Sequence, residues 1–257
     1  MRYALISDIH GNLPALEAVL AELEGRSDVD AVYHLGDLVG YAPWPDEVVA
    51  LLRERAIPGV AGNYDSTTAT DYEHCGCRYE DPRQEELSHR SYEWTRARVS
   101  EETKAWLGGL PFRIDLRPLG GHAAGPRLIL VHGNPVLNTV YWTEDRSDDF
   151  CLKMAGQLGA RSGDVVAFGH THRPWHRDVT GIRFVNTGSV GRPKDGDWRA
   201  GYAVVAMDGE AVDVEIVRVA YDLERATEAI RASELPDDFA TYLETGGMPE
   251  RQAADAG

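Results

Sequence analysis

The chain has 257 residues, 43% of them hydrophobic and 26% charged, enough apolar mass for a substantial core in one large domain. Its formal net charge of −16 repels phosphate backbones and argues against non-specific nucleic-acid binding, while leaving room for a small phosphoester substrate because metal ions reverse the sign locally. No apolar run approaches about 20 residues, so no membrane span is expected, and the start MRYALISDIHGN is too short in its apolar part for a secretory leader; a cytoplasmic protein is expected.

In chain order, RYALIS (2–7) reads as a buried first strand and LPALEAVLAELEG (13–25) as a helix capped by Asn12 and stopped by Gly25. DAVYHLGD (30–37) is a second strand, WPDEVVALLRERA (44–56) a second helix opened by Pro45 and Asp46, and IPGVAGN (57–63) a third, short strand. This β-α-β-α-β order implies a parallel sheet with right-handed crossovers. The character then changes. Residues 66–83 are polar without a usable period, and 85–107 carry Leu87, Tyr92, Trp94, Val99 and Trp106 among many charges. The stretch of about 66–110 reads as a partly helical insertion over one end of the sheet. Its Tyr72, Tyr79, Tyr92 and Trp94 are candidates for a wall that selects substrate, with packing on the core or on a second copy of the chain as the plainer alternative. The β/α rhythm resumes with RLILVHG (127–133), a helix near 148–158 and DVVAFGHTH (164–172). Three strands follow, IRFVNTGSV, GYAVVAMDG and VDVEIVRVAYD, the last two joined at MDGE (207–210), where Asp-Gly suits a type I′ turn. LERATEAIRASELP (223–236) closes the domain as an amphipathic helix. The single domain runs over 1–246, and the tail 247–257 is expected to be loose.

Each apolar strand is followed by metal-competent side chains: DIH (Asp8, His10), GDLVG (Asp37), GNYD (Asn63, Asp65), HG (His132) and GHTH (His170, His172). Sites in open α/β sheets gather at the carboxyl ends of strands, so these distant segments should converge. Taken singly, each residue has a plainer reading as an Asp or His that caps a turn. Together they account for four of the nine histidines. The others, His34, His74, His89, His122 and His176, lack that context and read as structural or surface residues, with His34 turned into the sheet packing. The set holds two carboxylates, one amide oxygen and four imidazoles. That is too many for one ion that also binds water, and it fits two ions sharing a carboxylate. Such a mixture suits divalent Mn, Fe, Zn or Ni better than Mg or Ca. The three cysteines, Cys75, Cys77 and Cys151, make no disulfide framework; HCGC (74–77) lacks a partner pair for a structural zinc and reads as a surface loop with free thiols.

In this order, DIH, GDLVG, GNYD, VHG and GHTH resemble the calcineurin-like metallophosphoesterase superfamily, over residues 1 to about 191. Within it, SDIHGN, HLGDLVGY and VNTGSVGRPKDG resemble the small bacterial phosphodiesterase branch. The resemblance implies an α/β fold, a four-layer α/β/β/α sandwich with ligand loops at one edge. It implies one metal on Asp8, His10 and His172, a second on Asn63, His132 and His170, and Asp37 as the bridge. The implied reaction is hydrolysis of phosphodiester or activated phosphoester bonds by metal-bound hydroxide, with the Asn63 amide helping to stabilise charge on the phosphoryl oxygens. One position departs from the pattern. Many relatives carry histidine third in G-N-H-[DE], where it helps protonate the leaving oxygen; here Tyr64 stands there, a phenol with an ordinary pKa of about 10, and Asp65 lacks its usual histidine partner. Asp37, Asn63, Tyr64 and Asp65 are thus the candidate catalytic residues, and a preference for diesters or good leaving groups is expected. The basic segment GRPKDGDWR (191–199) offers Arg192 or Lys194 as a phosphate contact, against the plainer reading of solvated loop charges. Alternatives are a phosphomonoesterase, a dinucleoside-polyphosphate hydrolase, or a non-catalytic interaction scaffold. A scaffold would be expected to lose ligands, and all seven positions are filled. Homo-oligomerisation is left open.

Overall fold

Side chains along the first strand, β1 (Arg2–Ile6), alternate between two apolar cores, and that alternation sets the layers. Tyr3 and Leu5 face a core shared with Leu128, Leu130, Val165 and Val205, between two sheets. Ala4 and Ile6 face the opposite way, onto a core that holds Leu16, Val19 and Val48 of helices α1 (Leu13–Glu24) and α2 (Pro45–Glu54). The second sheet repeats the scheme. Ile129 and Val131 of β4 (Leu128–Val131) and Val166 and Phe168 of β5 (Val165–Phe168) turn outward onto Cys151, Met154 and Leu158 of α6 (Asp148–Leu158). Both strands are covered on both faces, which is why they read as unbroken apolar runs. The fold is the expected α/β class, a four-layer α/β/β/α sandwich. This computed structural model describes residues 1–77, 81–117, 125–209 and 211–247. Tyr79, His122 and the tail beyond 247 lie outside the described residues.

The first sheet has the order β2 (Ala31–His34), β1, β8 (Ala200–Asp208), β9 (Ala211–Val219), and the second β3 (Arg113–Leu116), β4, β5, β7 (Ile182–Asn186), β6 (Trp175–Val179). β1 pairs with β2 in parallel, and β4 with β5 and β5 with β7 likewise; the remaining pairs are antiparallel. The sheets are therefore mixed, where the β-α-β-α-β reading implied a parallel one. The expected third strand is absent: residues 57–62 make a single bridge, His34 to Gly59, and Asn63 already opens α3 (Asn63–Ala69). Pro58 and the glycines at 59 and 62 deny that segment a continuous ladder.

The insertion contains α3, α4 (Pro82–Arg98) and α5 (Glu101–Leu107), so part of the polar stretch 66–83 is helical. Its helices are held by capping side chains and buried aromatics more than by an apolar face: Asp81 and Ser100 cap α4 and α5, and Tyr92 is fully buried. After β9 come α7 (Leu223–Ala232), shorter than expected because Ser233 leaves the helical conformation, and α8 (Asp238–Glu244). Asn12 caps α1 as expected, its side-chain oxygen accepting from the Ala15 N–H at 3.2 Å. The β8–β9 hairpin closes at the Asp208–Ala211 pair, so its loop begins at Gly209, with φ of 60°.

Candidate metal centre

Asp8 and His10 follow β1, Asp37 follows β2, His132 follows β4, and His170 and His172 follow β5; Asn63 enters from the first turn of α3. The sheets bring these ends to one edge, where all seven side chains are at most 4% exposed. Their ligand atoms form two groups, Asp8 with His10 and His172, and Asp37 with His132 and His170, the atoms within each lying within 4.8 Å of one another. His10 Nε2 is 3.1 Å from His172 Nε2, and Asp8 Oδ1 is 3.2 Å from the latter. In the other group His132 Nε2 lies 3.2 Å from His170 Nδ1 and 3.2 Å from Asn63 Oδ1. Asp37 Oδ2 stands between the groups, 3.7 Å from His10 Nε2 and 3.4 Å from His132 Nε2.

The backbone is strained to achieve this. Asp8, His10, Asp37, His170 and His172 all have positive φ, between 51° and 66°, a region that costs a non-glycine residue on the order of 1–3 kcal/mol. Hydrogen bonds between the loops hold the strain in place. Asp8 N donates to Gly36 O at 2.9 Å and His10 N to Asp37 O at 3.0 Å. The Asp65 carboxylate accepts from the backbone N–H groups of Gly62, Asp37 and Leu38 at 2.8–2.9 Å. Asp65 thereby ties the Asp37 loop to the Asn63 turn. Tyr64 N in turn donates to Asp37 Oδ1 at 2.9 Å. Gly169 is required by contact: a Cβ there would lie 2.1 Å from Ser7 Oγ and 2.4 Å from Asp8 Oδ2.

The donor set fits divalent transition ions. The distal ring nitrogens of three histidines are engaged by backbone carbonyls, His10 Nδ1 by Val39 O at 3.0 Å, His132 Nδ1 by Leu35 O at 2.7 Å and His172 Nδ1 by Arg192 O at 2.6 Å. This fixes each tautomer with the Nε2 lone pair turned into the site. Burial, aided by the neighbouring His172 ring, pushes His10 down to about 3; burial and His132 push His170 down to about 4. Both stay neutral, as ligands must. His132 goes the other way: burial pulls it down, but the Asp37 carboxylate prevails and it rises to about 9. Asp37 answers in kind, burial raising it while His132 and His10 hold it below the usual carboxylate range. The pull of Asp37 on His132 marks a negative field at this place, which a divalent cation would balance instead of a proton. Asp8 Oδ1 is buried and accepts no hydrogen bond, a cost that a cation would remove.

Of the other candidate residues, Tyr64 and Lys194 line the crevice beside these groups. Tyr64 is buried with its ring edge-on to His10, and its hydroxyl lies 3.2 Å from Ser88 Oγ. Tyr92 packs edge-on against Tyr64, at 5.7 Å between centroids, and donates its hydroxyl to Tyr72 O, while Tyr72 itself is exposed. The HCGC segment is not the surface loop expected: Cys75 is buried, and Asn63 Nδ2 donates to Cys75 O at 3.1 Å and to Cys77 Sγ at 3.2 Å. Sequence reasoning missed Tyr41, edge-on to His10 at 4.8 Å, and Tyr141, stacked on His170 at 4.5 Å. Neither sits in a strand-end motif. Only a position directly after the GDLVG turn marks Tyr41, and nothing local marks Tyr141. Lys194 lines the same crevice, and Arg192 is buried behind Tyr41.

Fold and site together define a class, an α/β sandwich that presents two groups of side chains able to hold metal ions on loops at one edge. Residues 1–210 match the calcineurin-like phosphoesterase superfamily domain, and the chain belongs to that family. It is 30% identical over 264 residues to an uncharacterized protein of Methanocaldococcus jannaschii, covering 95% of this chain and 97% of that one. It is 28% identical over 219 residues to a probable metallophosphoesterase of Methanothermobacter thermautotrophicus, covering 85% and 92% respectively. Among solved structures, a metallophosphoesterase from Sphaerobacter thermophilus superposes with a TM-score of 0.71 at 29% identity, covering 96% of this chain and all of that one (100%). A hypothetical protein from Pyrococcus horikoshii gives a TM-score of 0.79 at 23% identity over 96% of this chain and 98% of that one, a likeness of fold.

Proposed function

We propose that this protein is a dinuclear metal-dependent phosphoesterase that hydrolyses phosphodiester or activated phosphoester bonds. The observation that supports it most is the convergence of six candidate ligands in two adjoining groups, with Asn63 Oδ1 3.2 Å from His132 Nε2 and Asp37 Oδ2 within 3.7 Å of a histidine from each group. Asp8, His10 and His172 would hold one divalent ion, Asn63, His132 and His170 the other, and Asp37 both; Mn, Fe, Zn or Ni suit these donors. When bound, such a pair lowers the pKa of water and neutralises charge on a phosphoryl group.

The chain's own contribution is orientation. Val39, Leu35 and Arg192 carbonyls fix the imidazoles, and Asp65 fixes the two loops that carry Asp37 and Asn63. Asn63 turns its amide nitrogen to the Cys75–Cys77 segment and its oxygen to His132, which favours a ligand role for that oxygen. Tyr64 commits its hydroxyl to Ser88 and so does not replace the proton-donating histidine of relatives. Substrates whose leaving group departs without protonation are favoured accordingly. The test is turnover of bis-p-nitrophenyl phosphate, p-nitrophenyl phosphate and an alkyl monoester by the purified protein with Mn²⁺ or Zn²⁺. We expect cleavage of the activated esters, abolished by chelation and restored by metal, with little attack on the alkyl monoester. Faster cleavage of the alkyl monoester, or turnover indifferent to chelation, would overturn the reading.

A further inference from the structure

We propose that Arg192 and Lys194 form an anion subsite beside the metal ligands, and that the substrate carries a second phosphoryl group on the leaving side of the bond cut: an organic diphosphate or longer phosphoanhydride. The proposal rests on the metal-dependent phosphoryl hydrolysis of the reading above and names the phosphoanhydride as the activated bond that the site cuts.

Arg192 is 5% exposed, yet no carboxylate among the described residues pairs with it, and its Nε is buried without a hydrogen-bond partner. Its guanidinium lies 4.0 Å over the Tyr41 ring and 5.6 Å from those of Phe239 and Tyr242. Aromatic faces hold a cation in place and offset part of its desolvation, but they leave its charge uncancelled. Lys194, half-buried, lines the crevice that also touches His10 and His172, and no carboxylate among the described residues pairs with its ammonium either. Scarcity of acids is not the cause, since the chain has 42 Asp and Glu residues against 26 Lys and Arg. Two basic groups two residues apart on one segment, neither paired with a carboxylate among the described residues, make a site that an anion would complete.

Both are rigidly placed relative to the metal ligands. Arg192 O accepts from His172 Nδ1 at 2.6 Å, and Lys194 N donates to His172 O at 3.2 Å. Ser189 Oγ accepts from Arg192 N at 2.8 Å, and Asn12 Nδ2 donates to Gly191 O at 2.9 Å, so the segment is clamped from behind. The placement of Tyr64 adds an independent constraint. With its hydroxyl turned to Ser88, that position supplies no acid to a leaving oxygen, and an alkoxide would depart poorly. A phosphate leaves as a stable anion. In the hydrolysis, the oxygen of water bonds to the scissile phosphorus and the bond from that phosphorus to the bridging oxygen breaks. The electron pair stays on the leaving phosphate, and the proton lost by water goes to solvent. Arg192 and Lys194 then sit where the departing charge accumulates.

The probes are methylenediphosphonate, a non-hydrolysable diphosphate, and methylphosphonate, measured by calorimetry on the Mn²⁺-loaded full chain. Wild type should bind the diphosphonate more tightly, and Lys194→Gln should narrow the ratio of the two dissociation constants about tenfold, equivalent to about 1.4 kcal/mol. Lys194→Arg should restore most of it. Arg192→Lys, which keeps the charge but shortens its reach, should narrow it as well. Equal affinity of wild type for both probes overturns the subsite, as does an equal loss for both probes in Lys194→Gln, which would place the cations on the scissile phosphoryl group of any ester. Hydrolysis supplies the separate control: failure of wild type to cleave any ester defeats the phosphoesterase reading, whereas cleavage of p-nitrophenyl phosphate with an unaltered probe ratio in the variants defeats the subsite alone.

Discussion

Asp8, His10, Asp37, His170 and His172 share an unfavourable left-handed backbone, and each pays for it within a loop fastened to another loop. The strain has a purpose: turning the chain sharply at each strand end lets side chains two residues apart, such as His170 and His172, reach different ligand groups instead of a common one. Such a site tolerates little added volume. Gly169→Ala places a methyl against Ser7 Oγ and Asp8 Oδ2, and since Asp8 Oδ2 also accepts from His170 N at 2.9 Å, both ligands must shift. We expect a loss of about 1–3 kcal/mol of stability by urea denaturation, together with weaker Mn²⁺ binding by calorimetry; a variant as stable as wild type would show that the loop yields freely. At this scale the sequence disclosed the candidate ligands that the structure groups together, because their types and strand-end positions are local facts. It did not disclose Tyr41, Tyr141 or the Cys75–Cys77 segment, because what makes them neighbours of the site is the packing of loops far apart along the chain.

Elements were legible where a local signal sufficed. The helix α1 is announced by the Asn12 cap and the Gly25 stop, and the strands β4 and β5 by apolar runs followed by His and Gly. The segment 57–62 misled because its apolar residues do pack, Val60 between the sheets, while its backbone pairs only once. The edge strands β3 and β6 passed unnoticed: RIDL and WHRDV carry charges on their open sides and have one partner strand each. Asn12 serves two elements at once, capping α1 through its oxygen and holding Gly191 O through its nitrogen. Asn12→Asp keeps the cap and loses the second bond. It should therefore cost about 1–3 kcal/mol, from an unpaired buried carbonyl facing a carboxylate, whereas loss of a cap alone is typically about 1 kcal/mol. Equilibrium unfolding of Asn12→Asp beside Asn12→Ala checks this, and an Asp variant as stable as wild type would rule out a role for the Gly191 anchor.

For the molecule as a whole, burial of neutral imidazole sets the response to acid. His34 is fully buried between Gly59 and Trp106, neither ring nitrogen has a hydrogen-bond partner, and burial pushes it down to about 3. The unfolded chain binds a proton there near pH 6.5 and the folded chain does not. The stability it contributes is thus complete above about pH 6.5 and is lost progressively as the pH falls from there towards about 3. His34→Leu should flatten the profile, by about 1.4 kcal/mol per pH unit at most over that window. Urea midpoints of wild type and variant at pH 7 and pH 5, both with chelator to remove metal effects, measure the difference; parallel profiles would mean that His34 titrates normally.

By itself the sequence determined the α/β class and marked out the candidate metal ligands, since both follow from residue type, strand-end position and short-range periodicity. Only the tertiary structure decided that the sheets are mixed and stacked, that Asp37 stands between the two candidate ligand groups, and that Lys194 lines the crevice while Arg192 is buried behind Tyr41. Those features depend on contacts such as His10 with His172 and Asp37 with His132, made between residues far apart along the chain. No local pattern encodes such a distance, because the burial and hydrogen bonding that fix it exist only once the layers have closed.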